Sequence, residues 1–479
     1  MISILILAGH WLIIVLLSLR VVTRRWPVGV SSAWLVVIIS VPFVGAGLYL
    51  LFGEKRLGRR RWGRMRSVAR AFMAWQSEWA SATAGATVDT GFDPAAAPVA
   101  GLAEALFGFP VRCADSIQLF DASDRLFDAL LADIDAATSR CNLSFYIWEE
   151  QGRAREVIGA LLRATTRGVR CRILCDAVGS KSFLAGAEAQ RMREAGIEIR
   201  AALPTGLFST LSSRVDLRNH RKIATIDSRI AYSGSHNLVD PRYFRQAAAV
   251  GDWVDAMVRV SGAASAALDG VFESDWAIES GAAFVAPARS SGAADARGPA
   301  IQVAASGPGL KPEAIRQLLL TAIYGAREEI IITTPYFVPD DSILLALRSA
   351  AERGISVTIV VPARNDSMLV RFASAACYDD LLQAGARIAE YAGGLLHTKS
   401  ITIDRRTSIF GSVNVDMRSL WLNFEISLLV YDGDFSAGLR RLQLDYLERS
   451  ASIDLESWRA RPRARKFLED LCRLIGPLL

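Results

Sequence analysis

One pattern occurs twice in this chain, and the repeat constrains the fold more than any other feature. The first copy reads NHRKIATIDSRIAYSGSHN (219–237) and the second reads HTKSITIDRRTSIFGSVN (397–414). Histidine, lysine, aspartate, glycine, serine and asparagine recur at the same intervals, 177 residues apart (397 − 220 = 177). The chain has only four histidines, so chance is a poor explanation for two of them in one repeated frame. We therefore predict two related halves.

Each His-x-Lys sequence opens a run of apolar, β-branched residues, which is typical of a strand. Residues two apart on a strand point to the same face. His220 therefore projects together with Lys222, and His397 projects together with Lys399. Each copy supplies one group for nucleophilic or acid–base chemistry beside one fixed cation.

The remainder of each copy adds an aspartate and neutral hydrogen-bonding groups. Asp227 and Asp404 each lie an odd number of residues after the histidine, so their side chains would point to the opposite face of the strand, and both precede turn-like pairs. We therefore interpret these two members of the repeated frame as structural. Gly-Ser-x-Asn then ends a second short strand, where a glycine permits close approach of the backbone to a ligand. The candidate substrate-binding residues are Ser235, Asn237, Ser412 and Asn414. Two histidines, two cations and neutral donors together suit a phosphodiester.

Two acidic residues outside the repeat are candidates for orienting the histidines. A catalytic imidazole is usually held by a carboxylate on its second nitrogen. Asp255 and Glu425 follow the histidines of their own halves by 35 and 28 residues (255 − 220 and 425 − 397). The alternative is that both are exposed charges on strands.

The N-terminal region is apolar enough to suggest a membrane anchor. Hydrophobic residues form 51% of the chain, and the mean hydropathy is +0.25. The excess lies in Ile2 to Leu19 and in Val28 to Phe52, each long enough to cross a hydrocarbon core of about 30 Å. A cleaved signal peptide is the alternative for the first segment, but a basic n-region and a small-residue cleavage site are missing. We predict a transmembrane hairpin over residues 1–53.

The charge distribution suggests how such a hairpin is oriented. Residues 1–66 hold ten basic residues and one acidic residue, giving +9, whereas the whole chain carries +6, so residues 67–479 sum to −3. Seven basic residues follow the second apolar segment and three lie between the two segments, which favours a catalytic body in the cytoplasm, at the inner membrane. A basic segment beside a membrane favours anionic lipids as partners. A nucleic-acid partner would call for a basic face on the body, so we expect none.

Residues 54–100 are predicted to form a basic juxtamembrane helix and a linker. A single apolar stripe recurs at helical spacing and consists of Met65, Val68, Phe72, Trp75 and Trp79. This helix either lies on the membrane surface or packs against the catalytic body. The sequence leaves both alternatives open.

The remaining chain reads as two α/β units, at 101–279 and 301–450, with a linker at 280–300 and a tail at 451–479. The first half has predicted helices at 124–137 and 156–166 and strands at 141–148 and 169–175. The second half has predicted helices at 312–326 and 343–353 and strands at 330–334 and 355–361. Alternating elements favour a mixed sheet flanked by helices. Because neither motif copy is a complete site, we expect a pseudo-two-fold arrangement that brings the histidines together, with residues 202–219 as a loop at the mouth of the site.

The cysteines give no sign of a metal centre. The chain has six, mostly within apolar strands or helices, and Cys171-x3-Cys175 has no matching partner set. We therefore expect reduced thiols, no metal and no cofactor.

The repeated residues resemble the HxK(x4)D signature of the phospholipase D superfamily, present twice and each time followed by GSxN. The chain is most similar to bacterial cardiolipin synthases, which share Tyr146-Ile147-Trp148, Asp176…Gly179-Ser180 and Pro335-Tyr336-Phe337-x-Pro339. The resemblance implies metal-independent transfer of a phosphatidyl group between two phosphatidylglycerol molecules, with cardiolipin and glycerol as products. It also implies that His220 attacks, that His397 is the acid and base, and that the lysines and asparagines hold the phosphoryl oxygens.

Four other functions share parts of this pattern. A hydrolytic phospholipase D has the same motifs and differs in admitting water, and a related transferase uses another phospholipid such as phosphatidylethanolamine. A phosphodiesterase nuclease has the same chemistry, but the apolar N-terminus and the net charge of −3 on residues 67–479 count against it. A non-catalytic membrane scaffold would not need two intact motifs. The sequence says nothing about the oligomeric state.

Overall fold

The computed structural model describes residues 2–24, 28–54, 57–82, 92–204, 214, 216–244, 250–287, 298–309, 311 and 313–474. The chain forms two compact units, Met1–Arg64 with Pro204–Leu217, and Met65–Leu203 with Arg218–Leu479. Most of the loop predicted at 202–219 lies outside the described residues, as do 83–91 and 288–297 of the two predicted linkers.

The first unit contains the helices α1 (Ile2–Thr23), α2 (Val28–Ser40) and α3 (Pro42–Leu48) and a π-helical turn (Tyr49–Gly53). The predicted second apolar segment, 28–52, is not one continuous helix. Pro42 starts a new helix after Val41 because its ring fits the first helical turn and not a helix interior. In the described part of the chain, no helix combines the length and the apolar character needed to cross a membrane.

The next helix, α4 (Arg59–Ala82), settles the alternative left open for the apolar stripe. Trp75 is buried, and Phe72 and Trp79 pack with it against a core cluster that also contains Phe109. A Cβ placed on Gly270 would collide with the Trp75 ring, so the helix packs at very close range. The stripe belongs to the core of the second unit.

Both halves of the second unit contribute to one fifteen-stranded mixed sheet. The first half supplies β1 (Arg112–Phe120), β2 (Arg140–Phe145), β3 (Arg170–Asp176), β4 (Glu198–Ala202), β5 (Ile223–Ile226), β6 (Ile230–Gly234), β7 (Trp253–Val254) and β8 (Met257–Gly262). The second half supplies β9 (Ala300–Ser306), β10 (Glu329–Thr333), β11 (Phe337–Val338), β12 (Ser356–Pro362), β13 (Arg387–Tyr391), β14 (Leu395–Leu396), β15 (Ser400–Ile403), β16 (Thr407–Gly411), β17 (Val415–Asp416), β18 (Glu425–Val430) and β19 (Ser450–Ser452). Of these strands, β7 with β14 and β11 with β17 form separate two-stranded pairs, and the remaining fifteen make up the large sheet.

The strand order of the large sheet is nearly a mirror image about its centre. It runs β19-β13-β12-β10-β15-β16-β18-β9-β1-β8-β6-β5-β2-β3-β4. At the centre β1 pairs antiparallel with β9, through Arg112 with Ile301 and Cys113 with Ala300. Antiparallel pairing of two equivalent strands relates the halves by an approximate two-fold rotation. The α/β class with a mixed sheet is therefore confirmed.

Helices cover both faces of the sheet. The first half has α5 (Ala97–Phe107), α6 (Ser123–Ala136), α7 (Arg153–Thr166), α8 (Lys181–Ala185), α9 (Ala187–Glu194) and α10 (Ala263–Ser280), with a 3-10 turn at Pro94–Ala96. The second half has α11 (Ala314–Gly325), α12 (Asp341–Glu352), α13 (Met368–Ala375), α14 (Tyr378–Gln383), α15 (Met417–Trp421), α16 (Gly433–Glu448), α17 (Leu455–Arg459) and α18 (Arg463–Leu474). Adjacent residues Ile409 and Phe410 of β16 point into different core clusters, as strand alternation requires. Helices α10 and α16 share the cluster that contains Phe410.

All eight helices and strands predicted for the two halves are present, as α6, β2, α7, β3, α11, β10, α12 and β12. The prediction missed the central pair β1 and β9, because β1 mixes charged and apolar residues and β9 lies beside a small-residue linker. Two boundaries also differ. Helix α5 starts inside the predicted linker, and β19 extends the sheet into the predicted tail.

Candidate active site

The two His-x-Lys sequences come immediately before β5 and β15, at equivalent positions of the two halves. The main-chain N–H of His220 donates to the Phe424 carbonyl at 2.8 Å, and that of His397 donates to the Val254 carbonyl at 2.8 Å. Each motif is therefore attached to a segment of the opposite half. Asn219 forms a parallel bridge with Phe424, and β14 pairs in parallel with β7 in the same way.

The two acids predicted to orient the histidines contact them, but across the halves. Nδ1 of His220 lies 3.0 Å from Oε2 of Glu425, and Nδ1 of His397 lies 2.7 Å from Oδ1 of Asp255. The sequence intervals group each acid with the histidine of its own half, and the structure exchanges them. The physical reason is the cross-half strand pairing, which places each acid directly after the segment that holds the opposite motif.

The charge states of these groups follow from their burial. Burial lowers the pKa of His220 and of His397, while the facing carboxylates oppose this effect and the nearby lysines add to it. Burial by itself would raise the pKa of Asp255 and of Glu425, but the imidazoles hold the pKa of both acids below its ordinary value. An ionised carboxylate only accepts hydrogen bonds, so each Nδ1–H donates to it. Each Nε2 is then the ring nitrogen left for chemistry, with a lone pair when the imidazole is neutral and a proton when it is charged.

The two carboxylates differ in how many donors surround them. Glu425 accepts from Ser412 Oγ, from Ser419 Oγ at 2.9 Å and from Asn423 Nδ2 at 3.2 Å, in addition to His220. Within the described residues, Asp255 accepts a hydrogen bond from His397 only. More donors disperse the negative charge of a carboxylate and make it a weaker base. Asp255 is therefore better able than Glu425 to stabilise a protonated partner.

Two ammonium groups lie in the same buried region. Within the described chain, Lys222 Nζ donates only to the His220 carbonyl, at 2.6 Å, and Lys399 Nζ donates only to the His397 carbonyl. Neither has a carboxylate within ion-pair distance among these residues, although each ammonium has three donors. Burial lowers the pKa of Lys222 to about 8 and of Lys399 to about 7. Two buried cations without a direct ion pair favour an anionic ligand.

The asparagines and serines of the repeat have different surroundings. Asn237 accepts from the Ile147 N–H at 3.1 Å, but its buried Nδ2 has no protein acceptor in the described chain. Asn414 donates to Asp416 at 3.0 Å, and its Oδ1 is the atom left without a partner. An unpartnered buried amide atom is a group that a ligand can satisfy.

The serine hydroxyls, in contrast, are occupied by the protein. Ser235 Oγ lies 3.1 Å from both the N–H and the carbonyl of Ala256, the residue after Asp255. Ser412 Oγ contacts Ile426, the residue after Glu425, through the same two groups. The predicted role of both serines in substrate binding therefore has less support than a role in fixing the acids.

The glycine and aspartate of each copy also serve the framework. A Cβ on Gly234 would lie 2.6 Å from the Ala256 carbonyl, and a Cβ on Gly411 would meet the Ile426 carbonyl. These glycines allow a neighbouring strand to approach, whereas the sequence suggested a ligand. Asp227 has a φ of 51° and accepts from the N–H groups of residues 138–140, and Asp404 has a φ of 50° and accepts from those of residues 327–329. Both cap the start of a strand, and neither contacts a motif histidine.

Aromatic rings stand beside both histidines. The Tyr146 ring centroid lies 5.0 Å from that of His220, with Lys222 Nζ at 5.5 Å from the same tyrosine ring. The Trp253 ring centroid lies 4.3 Å from that of His397. These rings exclude water from one side of each imidazole, which supports the burial that lowers the histidine pKa values.

The sequence reasoning missed Arg221, the middle residue of the first motif. Its Nε donates to the Glu425 carbonyl at 3.0 Å, and its Nη1 contacts both oxygens of Asp275 at 2.6 Å. It thereby fixes the main chain of the acid that holds His220. The available signal was a long basic side chain between His220 and Lys222, pointing to the opposite face of the strand from both. Among the described residues no three His, Cys, Asp or Glu side chains are grouped as a metal site would require.

A mirrored pair of α/β halves that shares two buried His-x-Lys pairs defines a phospholipase D-like protein. A family model described as "Cardiolipin synthase, PLD-like domain" matches residues 130–276 and 319–442, and one described as "Phospholipase D-nuclease N-terminal" matches residues 11–54. The chain belongs to the cardiolipin synthase family of phospholipase D-like proteins.

Individual relatives agree with this assignment. The chain is 43% identical to cardiolipin synthase A of Yersinia pseudotuberculosis serotype O:1b and to that of Yersinia pestis biovar Antiqua strain Angola, over 474 residues, 98% of this chain and 97% of each relative. A solved phosphatidylserine synthase from Haemophilus influenzae matches with a TM-score of 0.59 at 13% identity, covering 80% of this chain and 100% of that one. The latter similarity concerns the fold.

Proposed function

We propose that this protein is a membrane phosphatidyltransferase that makes cardiolipin and glycerol from two molecules of phosphatidylglycerol. The observation that carries the proposal is the pair of buried ammonium groups, Lys222 and Lys399, which have no carboxylate within ion-pair distance among the described residues and lie beside two histidines with open Nε2 atoms. A phosphodiester anion would form the direct ion pairs that both ammonium groups lack. Its phosphorus would be the electrophile for one imidazole.

The first step is attack on phosphorus. Nε2 of His220 forms a bond to the phosphorus of one phosphatidylglycerol, and the bond to the glycerol oxygen breaks. His397 enters this step as the imidazolium, stabilised by Asp255 and by the bound phosphodiester anion, and transfers its Nε2 proton to the departing glycerol oxygen. The two lysines and the open Nδ2 of Asn237 stabilise the negative charge that develops on the phosphoryl oxygens, whereas the open Oδ1 of Asn414 can only accept a hydrogen bond. Burial keeps His220 neutral and nucleophilic, because it lowers the pKa of this imidazole.

The second step regenerates the enzyme. A glycerol hydroxyl of a second phosphatidylglycerol attacks the same phosphorus, and Nε2 of His397 accepts its proton. The bond between phosphorus and His220 breaks, and cardiolipin leaves. Asp255 and Glu425 act as positioning residues for the two imidazoles, and Ser235 and Ser412 hold these acids. Asp227 and Asp404 have a structural role, because they cap the starts of β2 and β10.

We also propose that the N-terminal unit anchors the enzyme in the inner membrane, with the catalytic unit in the cytoplasm. The two apolar segments and the basic residues after them support this arrangement. Of the three arginines between the segments, Arg20 and Arg24 form ion pairs with Glu54, so they contribute less free positive charge than the sequence count implies. A reporter that is active only outside the cytoplasm, fused after Leu479, is expected to stay silent. A strong signal would reverse the orientation.

The decisive experiment incubates the purified full chain with phosphatidylglycerol labelled in its acyl chains and, separately, in its headgroup glycerol, in the presence of EDTA. Cardiolipin and free glycerol are expected in equal amounts. Phosphatidic acid as the main product would instead identify a hydrolytic phospholipase D. If added phosphatidylethanolamine is incorporated into the product in preference to a second phosphatidylglycerol, then phosphatidylethanolamine is the second substrate.

A further inference from the structure

The last helix of the described chain, α18, has an apolar stripe that no other part of the described protein covers. The stripe consists of Phe467, Leu468, Leu471 and Leu474, at spacings that place them on one face of a helix. Their exposed fractions are 71%, 41%, 48% and 75%. The opposite face is in contact with the protein, where Cys472 is buried.

Helix α13, which packs against α18, adds two more exposed apolar side chains, Met368 at 71% and Leu369 at 47%. We name these six residues, four on α18 and two on α13, the C-terminal apolar surface. Exposed apolar residues scattered singly are ordinary, but a set concentrated on two packed helices marks an interaction site.

The charges around this surface are mainly positive. Arg371 on α13 and Arg463 and Arg473 on α18 are exposed. The one buried acid of α18, Glu469, is neutralised because Arg461 and Arg465 donate to its two oxygens at 2.7 and 3.0 Å. Asp470 is the exposed acid of the helix. An apolar stripe with basic residues beside it is the arrangement of a helix that lies in the interface of an anionic bilayer.

The surface is also connected to the candidate active site by a short structural path. Val338 of β11 is buried with Val370 of α13 and Cys472 of α18. Strand β11 pairs with β17, which begins directly after Asn414 of the second motif. The apolar surface and Asn414 are therefore connected through packed elements, from α18 and α13 to β11 and from β11 to β17.

We propose that the C-terminal apolar surface docks on the anionic lipid bilayer and holds the second half of the active site against the membrane from which its substrate comes. The inference takes the lipid nature of the substrate from the proposed function. It adds a second membrane contact, distinct from the N-terminal apolar segments. A second copy of the chain is the competing occupant, and the basic residues argue against it because two like-charged surfaces repel.

The test labels the full chain at this surface. All six native cysteines are buried, so a new exposed thiol can be labelled selectively. Leu471→Cys carries an environment-sensitive fluorophore, and the protein is reconstituted in phosphatidylglycerol vesicles that contain a lipid-borne quencher. The matched control is Leu345→Cys on α12, another apolar residue with an exposed fraction of 57% outside the surface. We expect at least twofold stronger quenching at 471 than at 345, reduced by high salt or by zwitterionic vesicles.

Two further outcomes would overturn the proposal. Equal quenching at both positions would show that lipid contact is not specific to this surface, and would reject it as the docking face. Energy transfer between labels at 471 on different copies, persisting when the protein is diluted with lipid, would identify a second copy as the occupant. Quenching is read without turnover, so a protein that binds as expected but makes no cardiolipin would reject the proposed function and leave the surface assignment standing.

Activity provides an independent readout. The Phe467→Glu/Leu471→Glu double variant is expected to lose about tenfold in rate on phosphatidylglycerol in vesicles, because charged groups on this face oppose interfacial binding. Its rate in mixed detergent micelles should stay within about twofold of the native rate, since substrate then reaches the site without a bilayer. Leu345→Glu should change neither rate. Equal losses of the double variant in vesicles and in micelles would show that the effect of the two glutamates does not depend on a bilayer, and would reject the docking role.

Discussion

His220 and His397 hold equivalent positions in the two halves, and each donates from Nδ1 to an acid of the opposite half. Their immediate neighbours are not equivalent. The residue between His and Lys is Arg221 in the first motif, where it forms a buried ion pair with Asp275 and donates to the Glu425 carbonyl. In the second motif it is Thr398, whose hydroxyl donates to the Val254 carbonyl at 3.1 Å.

The difference shows how a symmetric frame can support two separate roles. Around His220, Arg221 with its ion-pair partner Asp275 holds the main chain of Glu425, and we call this arrangement the ionic clamp. Glu425 accepts from three further donors, so it fixes the imidazole but is a weak base. Around His397, the clamp is neutral, and Asp255 has no other donor among the described residues. We infer that the first site suits a neutral nucleophile and that the second suits a group that gains and loses a proton.

The largest expected effect separates the histidines themselves. His397→Gln should slow cardiolipin synthesis at least about 1,000-fold, yet leave His220 able to attack a phosphatidyl substrate with a good leaving group. A phosphatidyl adduct should accumulate on His220, because breakdown still needs the missing base. Mass spectrometry of a digest kept away from acid detects it. His220→Gln should trap nothing, and an adduct on His397 in that variant would exchange the two roles.

The next effect tests the exchange of acids between the halves. Asp255→Asn and Glu425→Gln should each reduce turnover by about 100-fold. Asp255→Asn should slow both formation and breakdown of the adduct with phosphatidylglycerol, and breakdown alone with a substrate that has a good leaving group. Glu425→Gln should slow formation, because each acid serves the histidine of the opposite half. Rapid-quench measurement of adduct formation and decay separates the steps. The opposite assignment of slowed steps would contradict the cross-half pairing or the histidine roles.

A smaller effect concerns pH and the two lysines. With pKa values of about 7 for Lys399 and about 8 for Lys222, the free enzyme loses positive charge as the pH rises through this range. The value of kcat/KM should therefore fall above about pH 7, by up to about tenfold per pH unit, because binding of the phosphodiester anion weakens. Lys399→Arg keeps its charge and should move the onset of the fall toward pH 8. A profile that stays flat to pH 9 would contradict this expectation.

The smallest effect compares the two clamps. Arg221→Lys keeps a positive charge but loses the planar donor that holds the Glu425 carbonyl, so kcat should fall about fivefold with little change in KM. Thr398→Val, the matched change in the second motif, should cost about twofold. The adduct-formation rate should account for the Arg221→Lys loss. Equal losses of kcat in both variants would show that Arg221 and Thr398 do not differ in function.

The sequence alone predicted much of the fold, for reasons that are local. Strand and helix periodicity located the eight elements that alternate in the two halves, because burial on one face leaves a repeating pattern. The central strands β1 and β9 were missed because β1 carries residues such as Asp115 and Gln118 between its apolar positions, and their pairing joins residues nearly 190 positions apart (301 − 112 = 189). Local patterns do not encode such pairings.

The same distinction applies to the candidate site. The repeated frame by itself determined the two histidines, the two lysines, the paired asparagines and the family that these residues indicate. Only the tertiary structure decided which acid faces which histidine, since the His397–Asp255 and His220–Glu425 contacts join residues 142 and 205 positions apart. It also showed that the motif serines are hydrogen-bonded to the main chain and that Arg221 forms an ion pair with Asp275. Spacing within a strand fixes side-chain direction, whereas partners from another half are set by how the two halves pair.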